Sequence, residues 1–428
     1  MRVLVVGGGG REHALCWALK RDHPHATLFA APGNPGTAQL GTNLAIAATA
    51  AADLVTAARQ HSIDFAVIGP EAPLAAGLAD ALRAAGTAVL GPSAAAARLE
   101  ASKAFAKEVM ARAGVPTAAS RSFTALDPAL AYIRSHAEPL VVKASGLAAG
   151  KGAVLCDTRA AAAASARAML AEGSLGEAGR EIVIEQFLAG EELSVLALTD
   201  GERVAILPPA QDHKRLGEGD TGPNTGGMGA YCPVSLATPA LLERVRREVL
   251  EPTLREMAVR RTPYAGVLYA GLMISADGTP SVLEFNCRFG DPETQAILPG
   301  LAPGVSAQFL DIARGAWRPS REVLAAERAA VTTVLAARGY PDAPERGAAI
   351  DLPENLGSDV LVFHAGTVRD LGGTLRTAGG RVLDVTTLGP DVPSAARRSA
   401  AACERITFDG KTWRRDIAWR EIRRAGAA

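Results

Sequence analysis

At 428 residues the chain is too long for one compact core and is sized for two to four domains. Its 48% hydrophobic and 21% charged residues are ordinary for a globular protein, and 45 cationic side chains face 45 anionic ones. With no basic stripe or tail, neither nucleic-acid binding nor attachment to an acidic membrane surface has electrostatic support.

The opening run M-R-V-L-V-V-G is a short strand leading into glycines, without the apolar length of a signal peptide, and no later apolar run is long enough to span a bilayer. Strands are predicted at 3–6, 27–30, 65–68 and 88–90, and helices at 12–21, 53–60 and 74–85. This βαβ rhythm predicts a doubly wound parallel sheet that binds its ligand at the carboxyl ends of the strands. Three loops occupy those ends: 7–12 (G-G-G-G-R-E), 31–36 (A-P-G-N-P-G) and 69–73 (G-P-E-A-P). A dinucleotide fingerprint starting at Gly7 would need a third glycine where Glu12 stands, and the second strand ends without an acidic residue for a ribose. What remains is a glycine turn at a helix N-terminus, suited to a small phosphate, with Arg11 adding charge.

A helix is predicted over 102–113, capped by Ser102, with Lys103 in a first turn that disfavours cations, a placement that fits an anionic partner nearby and equally an ordinary solvated lysine. Residues 139–154 deliver Lys143 on a strand, turn through Gly146, Gly150, Lys151 and Gly152, and enter a second strand. The glycine spacing and the returning strand exclude a Walker nest and predict a hairpin flap over phosphates. Strand 181–187 runs into a linker holding Leu188, Glu191 and Glu192, where an adenine can meet backbone atoms and a carboxylate a ribose; alone, it reads equally as a simple hairpin. Residues 210–231 gather Asp212, His213, Lys214 and Arg215 ahead of six glycines, the composition of a loop that covers a substrate. Helix 239–259 and strand 266–274 follow.

In 281–293, S-V-L-E-F-N-C-R-F-G-D-P-E, strand alternation sends Glu284 and Asn286 to the same face. A carboxylate beside an amide oxygen is a hard site of the type Mg²⁺ shares with phosphates, and Arg288 adds a planar fork for an anion. The pair suits phosphoryl transfer onto an acid, although the stretch by itself also fits a buried strand end with a local salt bridge. Beyond 327, strands at 331–335, 360–363 and 382–386 and a helix at 395–403 predict a small α+β unit that closes the site from one side. Only seven of the 45 cations are lysines (20, 103, 107, 143, 151, 214 and 411), so a lysine here is kept for its compact ammonium. The five cysteines are scattered, without a C-x-x-C pair, and read as reduced, buried thiols of a cytoplasmic protein.

Glu284/Asn286, Lys143 with its flap, and Glu185 with Glu192 resemble the ATP-grasp superfamily. Within it, G-G-R-E-H-A (9–14), A-P-G-N (31–34), G-P-E-A-P-L (69–74), G-L-A-A-G-K-G (146–152), Q-D-H-K-R (211–215), D-T-G-P-N-T-G-G-M-G-A-Y (220–231) and E-F-N-C-R-F-G-D-P-E-T-Q (284–295) are similar to the phosphoribosylamine–glycine ligase family, in the family's order and over essentially the whole chain. The resemblance implies a Rossmann-like substrate domain over 1–102, an ATP-grasp region over 103–327 with 123–190 as its lid, and an α+β domain over 328–428. It implies ATP-dependent ligation of glycine to 5-phosphoribosylamine through glycyl phosphate, in purine synthesis. ATP would lie against Lys103, Lys143, Gly150, Lys151, Gly152, Glu185, Phe187, Leu188 and Glu192, with Mg²⁺ or Mn²⁺ on Glu284 and Asn286. Gly9, Gly10, Arg11, Glu12, Gly33, Asn34, Pro70 and Glu71 would cradle phosphoribosylamine. Asp212, Lys214, Arg288 and Gly290 would take the acid, with Lys143, Arg288 and Asp212 as the catalytic set. A monomer or weak homodimer acting on small molecules is expected. Another ATP-grasp carboxylate–amine ligase, or a non-catalytic nucleotide-binding relative, are the competing readings.

Overall fold

The computed structural model describes residues 1–148 and 150–427; Ala149, inside the predicted flap, lies outside the described residues. Strands Arg2–Gly7, Thr27–Pro32, Thr42–Asn43, Phe65–Ile68 and Ala88–Leu90 pair in parallel, with Arg2–Gly7 at the centre. Val3 to Val6 are all fully buried, as a parallel strand covered on both faces requires. Chain direction through the sheet reverses beside Arg2–Gly7, so the loops after Gly7, Pro32 and Ile68 line one edge at a switch point. The helix expected at 74–85 is two helices, Glu71–Ala75 and Leu78–Ala84, because Gly77 adopts φ +86°, which no right-handed helix continues.

Two further sheets carry the central chemistry. Strands Ser120–Phe123, Ile182–Gln186, Leu140–Ala144 and Ala153–Cys156 form an antiparallel sheet with a core of its own beneath helices Leu126–Ser135 and Arg159–Leu170. Val204–Ile206, Glu191–Thr199, Gly266–Ile274 and Pro280–Asn286 form the second sheet, backed by helix Lys103–Ala113 and by the helical run Pro239–Val259, which widens into one π turn at Arg246–Leu250.

The last sheet is shared. Gln211–Asp212 pairs with Gly229–Cys232, which pairs with Ala329–Ala336, and the sheet continues through Arg381–Gly389 to Val360–His364. Segments on either side of position 327 are therefore hydrogen-bonded into one surface. Helix Val392–Arg405 packs on it. All five cysteines are buried and free, and among the described residues no helix is long and apolar enough to cross a membrane.

Candidate active site

Strand Pro280–Asn286 pairs antiparallel with Gly266–Ile274 at the edge of its sheet, Asn286 opposite Tyr269 and Glu284 opposite Gly271. The register slips between Gly271 and Leu272, so Leu283 is the extra residue of a bulge. The bulge lets Val282 and Phe285 both enter the core, and the Leu283 carbonyl accepts from Lys143 Nζ at 3.0 Å.

Glu284 makes no ion pair among the described residues. Burial by itself would raise its pKa, but Lys103, Lys214, Lys143 and Arg288 together outweigh that and hold it below the ordinary carboxylate value. An ionised carboxylate ringed by cations yet bonded to none is available to a further ligand. Asn286 Oδ1 accepts from Arg288 Nη2 at 3.1 Å, which aims the amide oxygen beside it. No cluster of three or more His, Cys, Asp or Glu side chains suited to a metal occurs among the described residues. One carboxylate and one amide oxygen fit a hard cation whose remaining positions are filled by water and phosphate.

Arg288 is the hub of this group. Nη2 pairs with Glu100 Oε1 at 2.9 Å, Nε faces Glu71 Oε2 at 3.4 Å, and Nη1 donates to the Phe289 carbonyl at 3.1 Å. Burial works against its charge, but Glu100 and Glu71 more than compensate and raise its pKa. Glu100 also accepts the Cys287 N–H at 2.7 Å; burial raises its pKa despite Arg288.

The lysines are fastened separately. Buried Glu185 is bridged by Lys143 at 2.9 Å and Lys107 at 3.2 Å, and Lys107 also donates to Thr117 Oγ1 at 2.8 Å. Lys214 Nζ pairs with Glu192 and stands 3.9 Å from Asp212 Oδ1. Burial raises the Asp212 pKa to about 7, with Glu293 and Glu192 adding to it and Lys214 opposing. Glu293 is buried and takes hydrogen bonds from Tyr269 Oη at 2.5 Å and Ser194 Oγ at 3.2 Å.

On the switch-point edge Glu12 fills the space between the glycine loops. It accepts the Gly9 N–H at 2.7 Å and Arg11 Nε at 2.6 Å, while a methyl group at Gly7 or Gly69 would overlap it. Arg11 reaches across to the Phe289 carbonyl at 3.3 Å. Asn34 is fully engaged: its amide donates to the Gly8, Gly9 and His364 carbonyls and its oxygen accepts from Gly36 and Thr37. It therefore ties loop to loop, with Gly33 beside it at φ +69°. Pro70 precedes the helix that carries Glu71. Gly290 packs against Glu293, and Gly10 against Asp384 and Gln295.

The structure thus gathers Lys103, Lys143, Asp212, Lys214, Glu284, Asn286, Arg288 and Glu71 around one space, with Glu185 and Glu192 as counter-charges. It does not bring Lys151 there: this exposed flap residue lies 3.8 Å from Asp342 of the last domain. The flap root is anchored where Ser145 accepts the Ala104 N–H at 3.2 Å and its carbonyl takes the Lys103 N–H at 2.8 Å. Gly150 and Gly152 lie in the flap turn, with Gly150 at φ +79°, and Phe187 is exposed beside Leu188 at the end of the Ile182–Gln186 strand. Four residues went unassigned in the sequence. Lys107 was within reach, because the scarcity of lysine already marks it. Glu100, Glu293 and Arg381 carry no local signal. Arg381 bonds the Gly226 and Asp291 carbonyls at 2.6 and 2.9 Å and the Asp291 carboxylate at 3.0 Å.

Comparison with known proteins matches three models in succession: the phosphoribosylglycinamide synthetase N domain over residues 1–100, its ATP-grasp (A) domain over 101–294 and its C domain over 330–420. A phosphoribosylamine–glycine ligase of Vibrio vulnificus is 47% identical, with 99% of each chain aligned, and one of Allochromatium vinosum is 49% identical, again with 99% of each. A crystal structure of the Thermotoga maritima phosphoribosylamine–glycine ligase superposes with a TM-score of 0.86 at 36% identity, covering 98% of this chain and 100% of that one.

Proposed function

The chain belongs to the phosphoribosylglycinamide synthetase family, and from that premise we propose how its residues divide the work of an ATP-grasp ligase of purine biosynthesis. The reaction is ATP-dependent ligation of phosphoribosylamine to glycine. A carboxylate is a poor electrophile, so the γ-phosphoryl group of ATP is first transferred to glycine. The acyl phosphate is then attacked by the sugar amine, releasing phosphate and giving glycinamide ribonucleotide and ADP.

Both phosphoryl donor and acceptor are anionic, so the residues must offset charge more than they must bond covalently. Lys143, held by Glu185 and the Leu283 carbonyl, and Lys103 at its helix start face the phosphates. Glu284 and Asn286 would hold a Mg²⁺ or Mn²⁺ ion, which supplies charge neutralisation at the phosphate oxygens when bound. Arg288 turns its fork toward the acid carboxylate or the transferring phosphoryl group. Asp212 receives the glycine ammonium, and the loops at Gly9–Glu12 and Glu71 receive phosphoribosylamine. Nucleotide base and ribose lie along 187–192, covered by the flap of Gly150–Gly152. The observation that carries this reading is Glu284, ionised among four cations and bound to none of them. The five buried, unpaired thiols support a cytoplasmic setting for the protein.

Incubation with Mg-ATP, glycine and hydroxylamine tests it, because hydroxylamine traps acyl phosphates as hydroxamates. Glycine-dependent hydroxamate, displaced by phosphoribosylamine, is the expected result; ADP release that ignores glycine would reject the mechanism. The same assay reads Asp212. A cationic substrate binds the ionised carboxylate, so below the carboxyl's pKa of about 7 a proton competes with it. The KM for glycine should rise as pH falls from 8 to 6, by about tenfold per unit below the pKa. A flat profile would remove Asp212 from the ammonium site.

A further inference from the structure

Lys214 sits on a hairpin whose two neighbours in sequence are both held from outside. On one side, His213 Nε2 accepts the Ala418 N–H at 3.2 Å; on the other, the Arg215 carbonyl accepts Arg414 Nη1 at 3.1 Å. Within the hairpin, Arg215–Gly217 pairs with Thr221–Asn224, and Thr225 closes the base by donating N–H and Oγ1 to the Lys214 carbonyl at 2.7 and 2.8 Å. The long glycine-rich loop read from the sequence is therefore an ordered ribbon at this end.

Its far end is gripped by the same segment. Arg414 is completely buried, an unusual place for a guanidinium, and it pairs with Asp220 Oδ1 at 2.9 Å and with Asp416 at 2.7 Å. Arg420 takes the other oxygen of Asp220 at 2.5 Å, and Asp416 accepts the Gly219 N–H at 2.8 Å. Asp220 and Ala418 both adopt left-handed backbone, at φ +57° and +70°, conformations that side chains resist and that persist where surroundings enforce them. His213 accepts through Nε2, so it is neutral with its proton on Nδ1; burial, with Arg414 adding to it, keeps it neutral down to about pH 3.

We propose that residues 414–420 are a positioning brace for the acid site, with Arg414 and Asp220 setting where Lys214, and through it Asp212, present their charges. None of these braced residues touches substrate; they act through Lys214. The proposal rests on the reading of Asp212 and Lys214 as the acid subsite.

Asp220→Gly removes the carboxylate at a position where glycine adopts positive φ freely, so the backbone itself is not penalised. The KM for glycine should rise about tenfold, the scale of one lost charge-assisted hydrogen bond, while kcat and the KM for ATP stay within about twofold. Asp220→Asn tolerates the left-handed turn and keeps one acceptor for Arg414, so it should recover most of the loss. A folded Asp220→Gly variant with the wild-type KM for glycine would overturn the brace, as would a parallel rise in both KM values with a lowered Tm. Should that variant not fold, Arg420→Gln takes its place, and an unchanged glycine KM there has the same consequence. Amide hydrogen exchange at Thr225 supplies a readout free of turnover: faster exchange in Asp220→Gly supports the brace even if the wild-type protein released no glycine-dependent ADP, a result that would count against the functional reading alone.

Discussion

Glu284→Gln should abolish ligation, lowering kcat on the order of a thousandfold, the scale seen when a preorganised charge is removed from a developing transition state. The substitution keeps the shape of the side chain and takes away one negative charge. Because Glu284 has no ion-pair partner among the described residues, no native bond breaks, and the Tm should move by only a few degrees. The loss should appear in the nucleotide as well: Mg²⁺ should strengthen ADP binding to the wild-type protein and do so far less in the variant. Unchanged turnover, or a metal dependence identical in both proteins, would remove Glu284 from the metal position. The variant would also leave Lys103, Lys143 and Lys214 without the carboxylate that sits among them.

Arg288→Met should damage both stability and chemistry, and the two can be separated. Glu100 is 7% exposed and keeps Arg288 as its ion-pair partner. Removing one member of a buried pair leaves the other uncompensated, a loss of about 3–5 kcal/mol. Denaturant unfolding of the single variant should show a loss of that size. In the double variant Arg288→Met/Glu100→Gln the stranded charge is gone while an acceptor for the Cys287 N–H remains, so most of the stability should return. Ligation should not return, because the fork facing the acid is still missing. A double variant that regains activity with its stability would mean that Arg288 only supports the fold.

The sequence carries its message unevenly, and particular residues show why. The parallel sheet could be read from Val3–Val6 and its counterparts, because a strand buried on both faces writes an unbroken apolar run into the chain. The proximity of Glu284, Asn286 and Arg288 could be read too, since they lie two residues apart along one strand and turn. The bulge at Leu283 could not: a one-residue slip depends on the partner strand, and nothing within 280–286 announces it. Glu100 ends a helix of ordinary composition, and only folding brings it 187 residues along the chain to the Cys287 N–H. Asn34 is a different lesson. Its place in a glycine-rich loop suggests a ligand contact, yet the same amide chemistry is spent on three carbonyls and two N–H groups of the protein itself. The split at Gly77 was in principle visible, but a lone glycine in an alanine-rich helix is a weak mark unless its φ is known.

The sheet in which Gly229–Cys232 lies beside Ala329–Ala336 restricts how this protein can be divided. A gene broken between those strands would yield two polypeptides, each with a naked edge searching for extended chain, and the nearest supply in a crowded cell is another copy of itself. Insertions between 318 and 321, where the chain is largely exposed, are the gentler route for a lineage to add sequence. Halving this ligase should produce inclusion bodies instead of a working pair.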